Sequence, residues 1–225
     1  AERATPAALA ADLSAAAREC GVELPPRTSE QLLAYLALLE KWNAVYNLTA
    51  IRDRDQMLVQ HLYDSLAIVA PLRARGLLAP RARVLDAGSG AGLPGVVLAA
   101  VQPDAQVHCV DAVAKKAAFV NQVAGELALA NLRAHHARLE TMRCGPGEAL
   151  PAATLIVSRA FASLAQFVAL TAHLLAPGGH WAAMKGRVPH DELAELPPEV
   201  SLAATITLRV PRLDAQRHLL LLHRR

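Results

Sequence analysis

Near its middle the chain reads Asp86-Ala-Gly-Ser-Gly-Ala-Gly-Leu-Pro-Gly95, and this stretch is the strongest indication of its architecture. Val84-Leu85 precedes it as the apolar end of a predicted strand, and a helix is predicted to follow over Pro94 to Val101. Glycine permits positive φ angles and lets a ligand approach the backbone without an intervening Cβ atom. The stretch therefore predicts a ligand-binding loop between a strand and a helix.

From about residue 82 onward, strand and helix patterns alternate along the chain. Further strands are predicted at 107–110, 132–136, 155–157 and 181–184, helices at 115–129 and 163–175, and a closing antiparallel pair at 201–210 and 218–223. Alternation of this kind implies a mostly parallel sheet with helices on both faces. We predict a Rossmann-like α/β fold with a mostly parallel seven-stranded sheet and a closing antiparallel strand.

The first 75 residues show helical periodicity instead. Thr5-Pro6 caps a first helix that stops at Gly21, and a capping-box pattern at Thr28 to Gln31 begins a second. A third helix begins after Asp53 or Asp55 and ends before Pro71. Because short amphipathic helices cannot bury their apolar stripes alone, we predict a helical cap over 1–75 that packs on a domain over 76–225.

Composition sets the broad class. The chain is 53% hydrophobic and 19% charged, as in globular proteins. It contains no apolar run long enough to span a membrane, and we expect no secretory signal. Cys20, Cys109 and Cys144 are far apart, so we expect reduced thiols, no metal site and a cytoplasmic protein without membrane contact. A net charge of +3 permits an anionic partner without establishing one.

The glycine spacing discriminates between cofactors. A dinucleotide fingerprint that begins at Gly88 would need glycine at position 93, which is Leu93. An acid at Asp86 would repel a pyrophosphate, but it can accept hydrogen bonds from the methionine ammonium of S-adenosylmethionine, directly or through water. Asp111 closes the next strand and can accept both ribose hydroxyls, although an acid there is also a common helix cap. We predict S-adenosylmethionine held by Asp86, Gly88, Gly90, Gly92 and Asp111.

The residues at the other strand ends exclude several classes of methyl acceptor. Ser158-Arg-Ala-Phe161 is not the Asn/Asp-Pro-Pro-aromatic pattern that serves amino-group methylation, and none of the three cysteines lies at a suitable strand end for a nucleophile. That strand end also lacks an acid to assist ribose methylation. Guanine N7 remains, because its free lone pair needs alignment and no general base. Arg159 is predicted to provide that positioning.

Basic residues are predicted to gather on the same edge of the sheet. They are Lys115, Lys116, Arg138, Arg159, Lys185 and Arg187. Such a group can bind RNA phosphates, and arginine can also donate to guanine edges. The alternative is that individual members, Lys116 and Arg138 above all, are solvated surface charges.

Several motifs in a fixed order resemble those of the bacterial small-subunit ribosomal RNA guanine-N7 methyltransferases, the glucose-inhibited division protein B family. They are Lys41-Trp-Asn-Ala-Val-Tyr-Asn-Leu-Thr49, Gln60-His-Leu-Tyr-Asp-Ser65, Asp86 to Gly95, Ser158-Arg-Ala-Phe-Ala-Ser163 and Met184-Lys-Gly186. The resemblance implies a class I methyltransferase fold with a helical cap, acting on a guanine in the decoding-region loop of 16S RNA. Its partner would be 16S ribosomal RNA or a small-subunit particle, and we expect a monomer.

The resemblance also implies roles for single residues. Gly88 and Leu93 match the family's cofactor loop, Leu139-Glu140 match the pair beside the adenine, and Arg159 matches the arginine of the Ser-Arg-Ala-Phe stretch. Ala91 departs from the proline of many members. The sequence does not decide between a role in the site and a role in packing for six further residues: Trp42, Tyr46, Asn47, Thr49, His61 and Asp64. A small-molecule methyltransferase and a non-catalytic RNA-binding assembly factor are the alternatives in function.

Overall fold

A seven-stranded sheet forms the centre of the protein in a computed structural model that describes residues 5–159 and 161–225. Its strands are β1 (Arg83–Ala87), β2 (Gln106–Asp111), β3 (Leu132–His136), β4 (Ala153–Ser158), β5 (Leu175–Lys185), β6 (Val200–Leu208) and β7 (Arg217–Arg224). They lie in the order β3-β2-β1-β4-β5-β7-β6. The pairings among β1 to β5 are parallel, and β7 runs antiparallel between β5 and β6. The predicted sheet is confirmed.

Helices precede the sheet and connect its strands. They are α1 (Pro6–Glu19), α2 (Pro26–Tyr46), α3 (Arg54–Met57), α4 (Asp64–Leu66), α5 (Val69–Ala74), α6 (Gly95–Val101), α7 (Ala114–Glu126), α8 (Leu164–Thr171) and α9 (His190–Ala194). A π-helical segment, Leu58–Tyr63, joins α3 to α4, and single 3₁₀ turns cover Leu139–Thr141 and Ala172–Leu174. Within the described ranges, no helix combines the length and apolarity needed to cross a bilayer.

The helix starts agree in part with the sequence prediction. Thr5 caps α1 by accepting a hydrogen bond from the Ala8 amide, and Asp53 caps α3. The predicted capping box of the second helix is wrong, because α2 already begins at Pro26, a residue whose missing N–H suits the first position. The helical stretch that begins after Asp53 ends at Leu66, before Pro71 as predicted. A new helix, α5, places Pro71 in its first turn, where its missing N–H costs no helical hydrogen bond.

The two faces of the sheet bury separate apolar clusters. Neighbouring residues of β1 point to opposite faces, so Val84 belongs to one cluster and Leu85 to the other. The cluster around Val84 includes Leu32 of α2 and Val96 of α6, so the N-terminal helices share a core with the helices that cover this face. A domain boundary at residue 75 stays a prediction.

Candidate active site

A cavity of about 380 Å³ opens at the carboxyl ends of β1 and β2. Most of its lining comes from the glycine loop, the end of β2 at Asp111, and the loop 47–53 between α2 and α3, which we call the roof loop; His61 and Lys116 add to it. Leu48 and Thr49 are the roof-loop residues in the lining, and Arg159 closes the cavity from the end of β4. The N-terminal helices therefore contribute directly to the predicted cofactor site.

The glycines of the loop divide into two kinds. Gly88 and Gly90 line the cavity with φ angles of 67° and 57°, and a Cβ atom at Gly90 would meet nothing within 4 Å. Gly92 lies behind the loop, where a Cβ would come within 2.6 Å of Val96 and 2.9 Å of Val120. Gly92 does not line the cavity and packs behind the loop, and its predicted contact with the cofactor stays a prediction.

Asp111 both holds the loop and faces the cavity. Its Oδ2 accepts a hydrogen bond from the Gly90 amide at 2.9 Å, and its Oδ1 accepts one from the Val113 amide at 2.8 Å. The side chain nevertheless borders the cavity. Because each carboxylate oxygen can accept a further hydrogen bond, the ribose-binding role predicted for Asp111 is compatible with its role as a cap.

Asp86 lies beneath the loop instead of in the cavity lining. It is 1% exposed, and its Oδ2 accepts a hydrogen bond from the Gly95 amide at 2.7 Å. Burial raises the pKa of its carboxyl to about 7, against the lowering effect of the Gly95 hydrogen bond. Its Oδ1 has no hydrogen-bond partner among residues 5–159 and 161–225. The structure thus assigns Asp86 to the anchoring of the loop, and a contact with the ammonium stays a prediction.

Arg159 is fixed by three groups of the segment that follows the roof loop. Its Nη1 donates to the Gln60 carbonyl at 3.0 Å and lies 3.4 Å from Asp64 Oδ2, and its Nη2 donates to His61 Nδ1 at 3.2 Å. The side chain of Arg159 is 27% exposed, so it is held in place and still accessible. This is the arrangement expected of a positioning arginine.

His61 links Arg159 to the roof loop. A guanidinium has only donors, so His61 Nδ1 accepts from Arg159 and its Nε2 carries the proton that is donated to Thr49 Oγ1, 3.1 Å away. Burial, and then the positive charge of Arg159, lower the pKa of His61 to about 4. The imidazole is therefore neutral near pH 7.

A second cavity, of about 410 Å³, shares His61 and Arg159 with the first. Asp64 lines it and is buried between two arginines, since its Oδ1 also accepts from Arg217 Nε at 3.0 Å. Met184 and Lys185 at the end of β5 border the same space. Two adjoining cavities at the carboxyl edge of the sheet can thus hold two ligands on either side of Arg159.

The predicted basic residues differ in availability. Lys115, Arg138 and Arg187 are exposed, and Lys116 lines the first cavity. Lys185 is not a free cation, because its Nζ lies 2.9 Å from Glu192 Oε2 and donates to the Phe161 carbonyl at 3.2 Å. The ammonium is thus engaged within the protein, which argues against its predicted contact with RNA phosphate.

Leu139 and Glu140 lie apart from the lining of the first cavity. Leu139 is buried in the apolar cluster behind β1, and Glu140 is exposed. Their turn follows Ala137, whose amide donates to the Asp111 carbonyl at 3.2 Å, so it lies beside the end of β2. The contacts with adenine that the resemblance implies stay a prediction.

The structure also shows where residues lie that the sequence left open or overlooked. Thr49, His61 and Asp64 line the two cavities, whereas Trp42 packs on Phe119 of α7 with ring centres 5.4 Å apart. Arg217 was not predicted, because it reaches Asp64 across 153 positions and carries no local signal. In the described part of the chain, no group of three or more His, Cys, Asp or Glu residues is arranged for a metal ion.

Known proteins resemble this chain over most of its length. The family model "GidB: rRNA small subunit methyltransferase G" matches residues 28–220. The ribosomal RNA small subunit methyltransferase G of Leptothrix cholodnii is 53% identical over 207 residues, which cover 92% of each chain. That of Methylibium petroleiphilum is 50% identical over 218 residues, 97% of this chain and 96% of the relative.

Solved structures share the fold. The magnesium protoporphyrin IX methyltransferase ChlM of Synechocystis, with bound SAM, superimposes with a TM-score of 0.58 at 18% identity, over 85% of this chain and 97% of its own. TrmN from Thermus thermophilus gives 0.55 at 22% identity, over 72% of this chain and 49% of its own. These likenesses support the methyltransferase fold alone. The family match and the identity to curated relatives over nearly the whole chain show that the protein belongs to the rRNA small subunit methyltransferase G family.

Proposed function

We propose that this protein transfers the methyl group of S-adenosylmethionine to N7 of a guanine in the decoding-region loop of 16S ribosomal RNA. The observation that carries the proposal is the pair of adjoining cavities that share Arg159 and His61. One cavity presents the glycine loop and an acid, and the other lies where the strands β4 and β5 end. Membership in the family supplies the class of substrate.

The residues of the first cavity fit the cofactor. Gly90 leaves open space at its Cα, and Asp111 offers acceptor capacity for ribose hydroxyls. Gly88 and Leu93 would border the bound molecule, since both line the cavity. When bound, S-adenosylmethionine supplies an electrophilic methyl group on a sulfonium.

The residues around Arg159 are suited to orientation and not to removal of a proton. His61 is neutral, but both of its ring nitrogens are engaged, and the Asp64 carboxylate is paired with two guanidinium groups. Guanine N7 carries its own lone pair, so the reaction needs alignment of the base with the methyl group and no general base. Arg159 would hold that alignment.

We further propose that the enzyme works as a monomer in the cytoplasm and needs no metal ion. One chain lines both cavities, which supports a monomeric site. A lone pair attacking a sulfonium methyl requires no Lewis acid, which supports the absence of a metal requirement.

The test is to incubate the purified protein with methyl-labelled S-adenosylmethionine and either small ribosomal subunits or naked 16S RNA, both taken from cells that lack this protein. We expect label at N7 of one guanine of the decoding-region loop in at least one of the two substrates. Binding of S-adenosylmethionine with neither label in RNA nor binding of RNA would favour the small-molecule methyltransferase. RNA binding without transfer would favour the assembly factor.

A further inference from the structure

We propose that the second cavity is the pocket for the target guanine, and that Asp64 recognises the base through its N1–H and N2–H donors. The proposal rests on the function proposed above and adds the residue that selects the base. It begins from the position of the cavity, which shares His61 and Arg159 with the predicted cofactor cavity. A base held there presents one edge toward the methyl group.

The charged groups lie in a definite order away from the cofactor cavity. His61 and Arg159 border both cavities, whereas Asp64 and Arg217 border the second one alone. Asp64 is joined to Arg159 through Oδ2 and to Arg217 through Oδ1. The protein thus offers donors beside the cofactor cavity and a carboxylate acceptor next to them.

Guanine presents the complementary order. Starting from N7, its edge carries the O6 acceptor, then the N1–H donor and then the N2 amino group. With N7 toward the methyl group, O6 would meet the Arg159 donors, and N1–H and the N2 amino group would meet Asp64. Adenine presents an amino donor after N7 and then the unprotonated N1, which would place donor against donor and acceptor against acceptor. The order therefore favours guanine.

Asp64 retains the capacity for this contact. Its two oxygens each accept one guanidinium hydrogen bond, and a carboxylate has about four acceptor sites. The side chain is 6% exposed and held from both sides by Arg159 and Arg217. A desolvated, fixed acceptor discriminates strongly, because a ligand without the matching donor leaves it unpaired.

The cavity also has apolar surface for the faces of a base. Ile51 of the roof loop and Met184 of β5 both line it. Its volume of about 410 Å³ lies within the range of small-ligand pockets, about 300–1,000 Å³. A base must leave its stack to enter a pocket of this kind, and single-stranded loops release bases at low cost.

The test compares guanosine with inosine at the target position of otherwise identical 16S RNA fragments, reconstituted into small subunits if the naked fragment is inactive. Inosine keeps N7, O6 and N1–H but lacks the N2 amino group. We expect the wild-type protein to methylate the inosine substrate about ten- to a hundredfold more slowly in single turnovers. Equal rates on both substrates would overturn the recognition of the N2 amino group by Asp64 and leave the proposed function standing. Transfer to neither substrate would remove the proposed function and this inference with it.

Variants assign the discrimination to Asp64. In Asp64→Asn we expect the guanosine rate to fall and the guanosine-to-inosine ratio to approach one, whereas Glu192→Gln, the same change at the ion pair with Lys185, should keep the wild-type ratio. Thermal unfolding and binding of S-adenosylhomocysteine establish that each variant is folded. If Asp64→Asn does not fold, Asp64→Glu keeps the charge, shifts the acceptor and should also lower the ratio. An unchanged ratio in a folded Asp64 variant would show that another group recognises the amino group.

Discussion

Arg159 is the residue on which the two cavities converge, and its planar shape is what the site uses. It satisfies the Gln60 carbonyl, His61 Nδ1 and Asp64 at once, and a lysine ammonium cannot reproduce that fork. We expect Arg159→Lys to lower the single-turnover rate of methyl transfer by about tenfold to a hundredfold, with Arg159→Ala at least as slow. Arg75→Lys, an exposed matched change, should leave the rate unaltered. Near-normal rates in both Arg159 variants would contradict a positioning role.

Asp111 combines loop anchoring with the predicted ribose contact. We expect Asp111→Ala to weaken binding of S-adenosylmethionine by about 1–3 kcal/mol, because charge-assisted hydrogen bonds are lost. Calorimetric titration measures the change in affinity. Asp104→Ala, which removes an exposed acid two residues before β2, serves as the control. A collapse of stability without ligand, together with unchanged affinity, would make Asp111 a structural cap alone.

The neutral state of His61 gives a pH dependence with a definite sign. An unfolded histidine binds a proton below about pH 6.5, whereas folded His61 does so near pH 4, so folding loses stability as the pH falls between these values. Between pH 7.5 and 5, wild type should lose on the order of 2 kcal/mol more than His61→Asn. Urea unfolding at the two pH values measures this, and the similar shift at His108 is common to both proteins. Parallel losses would show that His61 titrates normally.

Among the elements, α2 controls the glycine loop through one hydrogen bond. The buried Tyr35 hydroxyl donates to the Ala91 carbonyl at 2.9 Å. In Tyr35→Phe that carbonyl loses its partner, and we expect about 1–3 kcal/mol lower stability together with weaker cofactor binding. Tyr46→Phe is the matched control, because Tyr46 is 43% exposed, and it should change stability by less than about 0.5 kcal/mol. Equal effects in the two variants would contradict a specific role for the hydrogen bond between Tyr35 and the Ala91 carbonyl.

The elements also show what the sequence could and could not predict. The strands and the glycine loop were predicted because alternation and glycine spacing are local properties of the chain. The π-helical segment Leu58–Tyr63 was not, since its wider turn depends on tertiary contacts such as that of Arg159 with the Gln60 carbonyl. For the same reason the sequence left His61 and Asp64 undecided and gave no indication of Arg217.

For the whole molecule, the exposed basic residues should govern the attraction for RNA. We expect the logarithm of RNA affinity to fall linearly with the logarithm of salt concentration, and each of Lys115→Gln, Arg138→Gln and Arg187→Gln to flatten the slope by about 0.7–0.9. Lys185→Gln should lower stability and leave the slope near wild type, because its ammonium is paired with Glu192. An unchanged slope in a variant that combines the three substitutions would show that these residues are solvated charges that do not contact RNA.

The place of β7 has a consequence for how the protein is made. The ribosome synthesises β5 and β6 before β7, yet β7 lies between them, with Leu219 to Leu222 buried on both faces. During translation β5 and β6 therefore lack their shared neighbour until β7 emerges and completes the sheet. Arg217 arrives with that strand and pairs with Asp64, so the second cavity is completed in the same step. A nascent chain halted before residue 217 would therefore lack both the complete sheet and the complete second cavity.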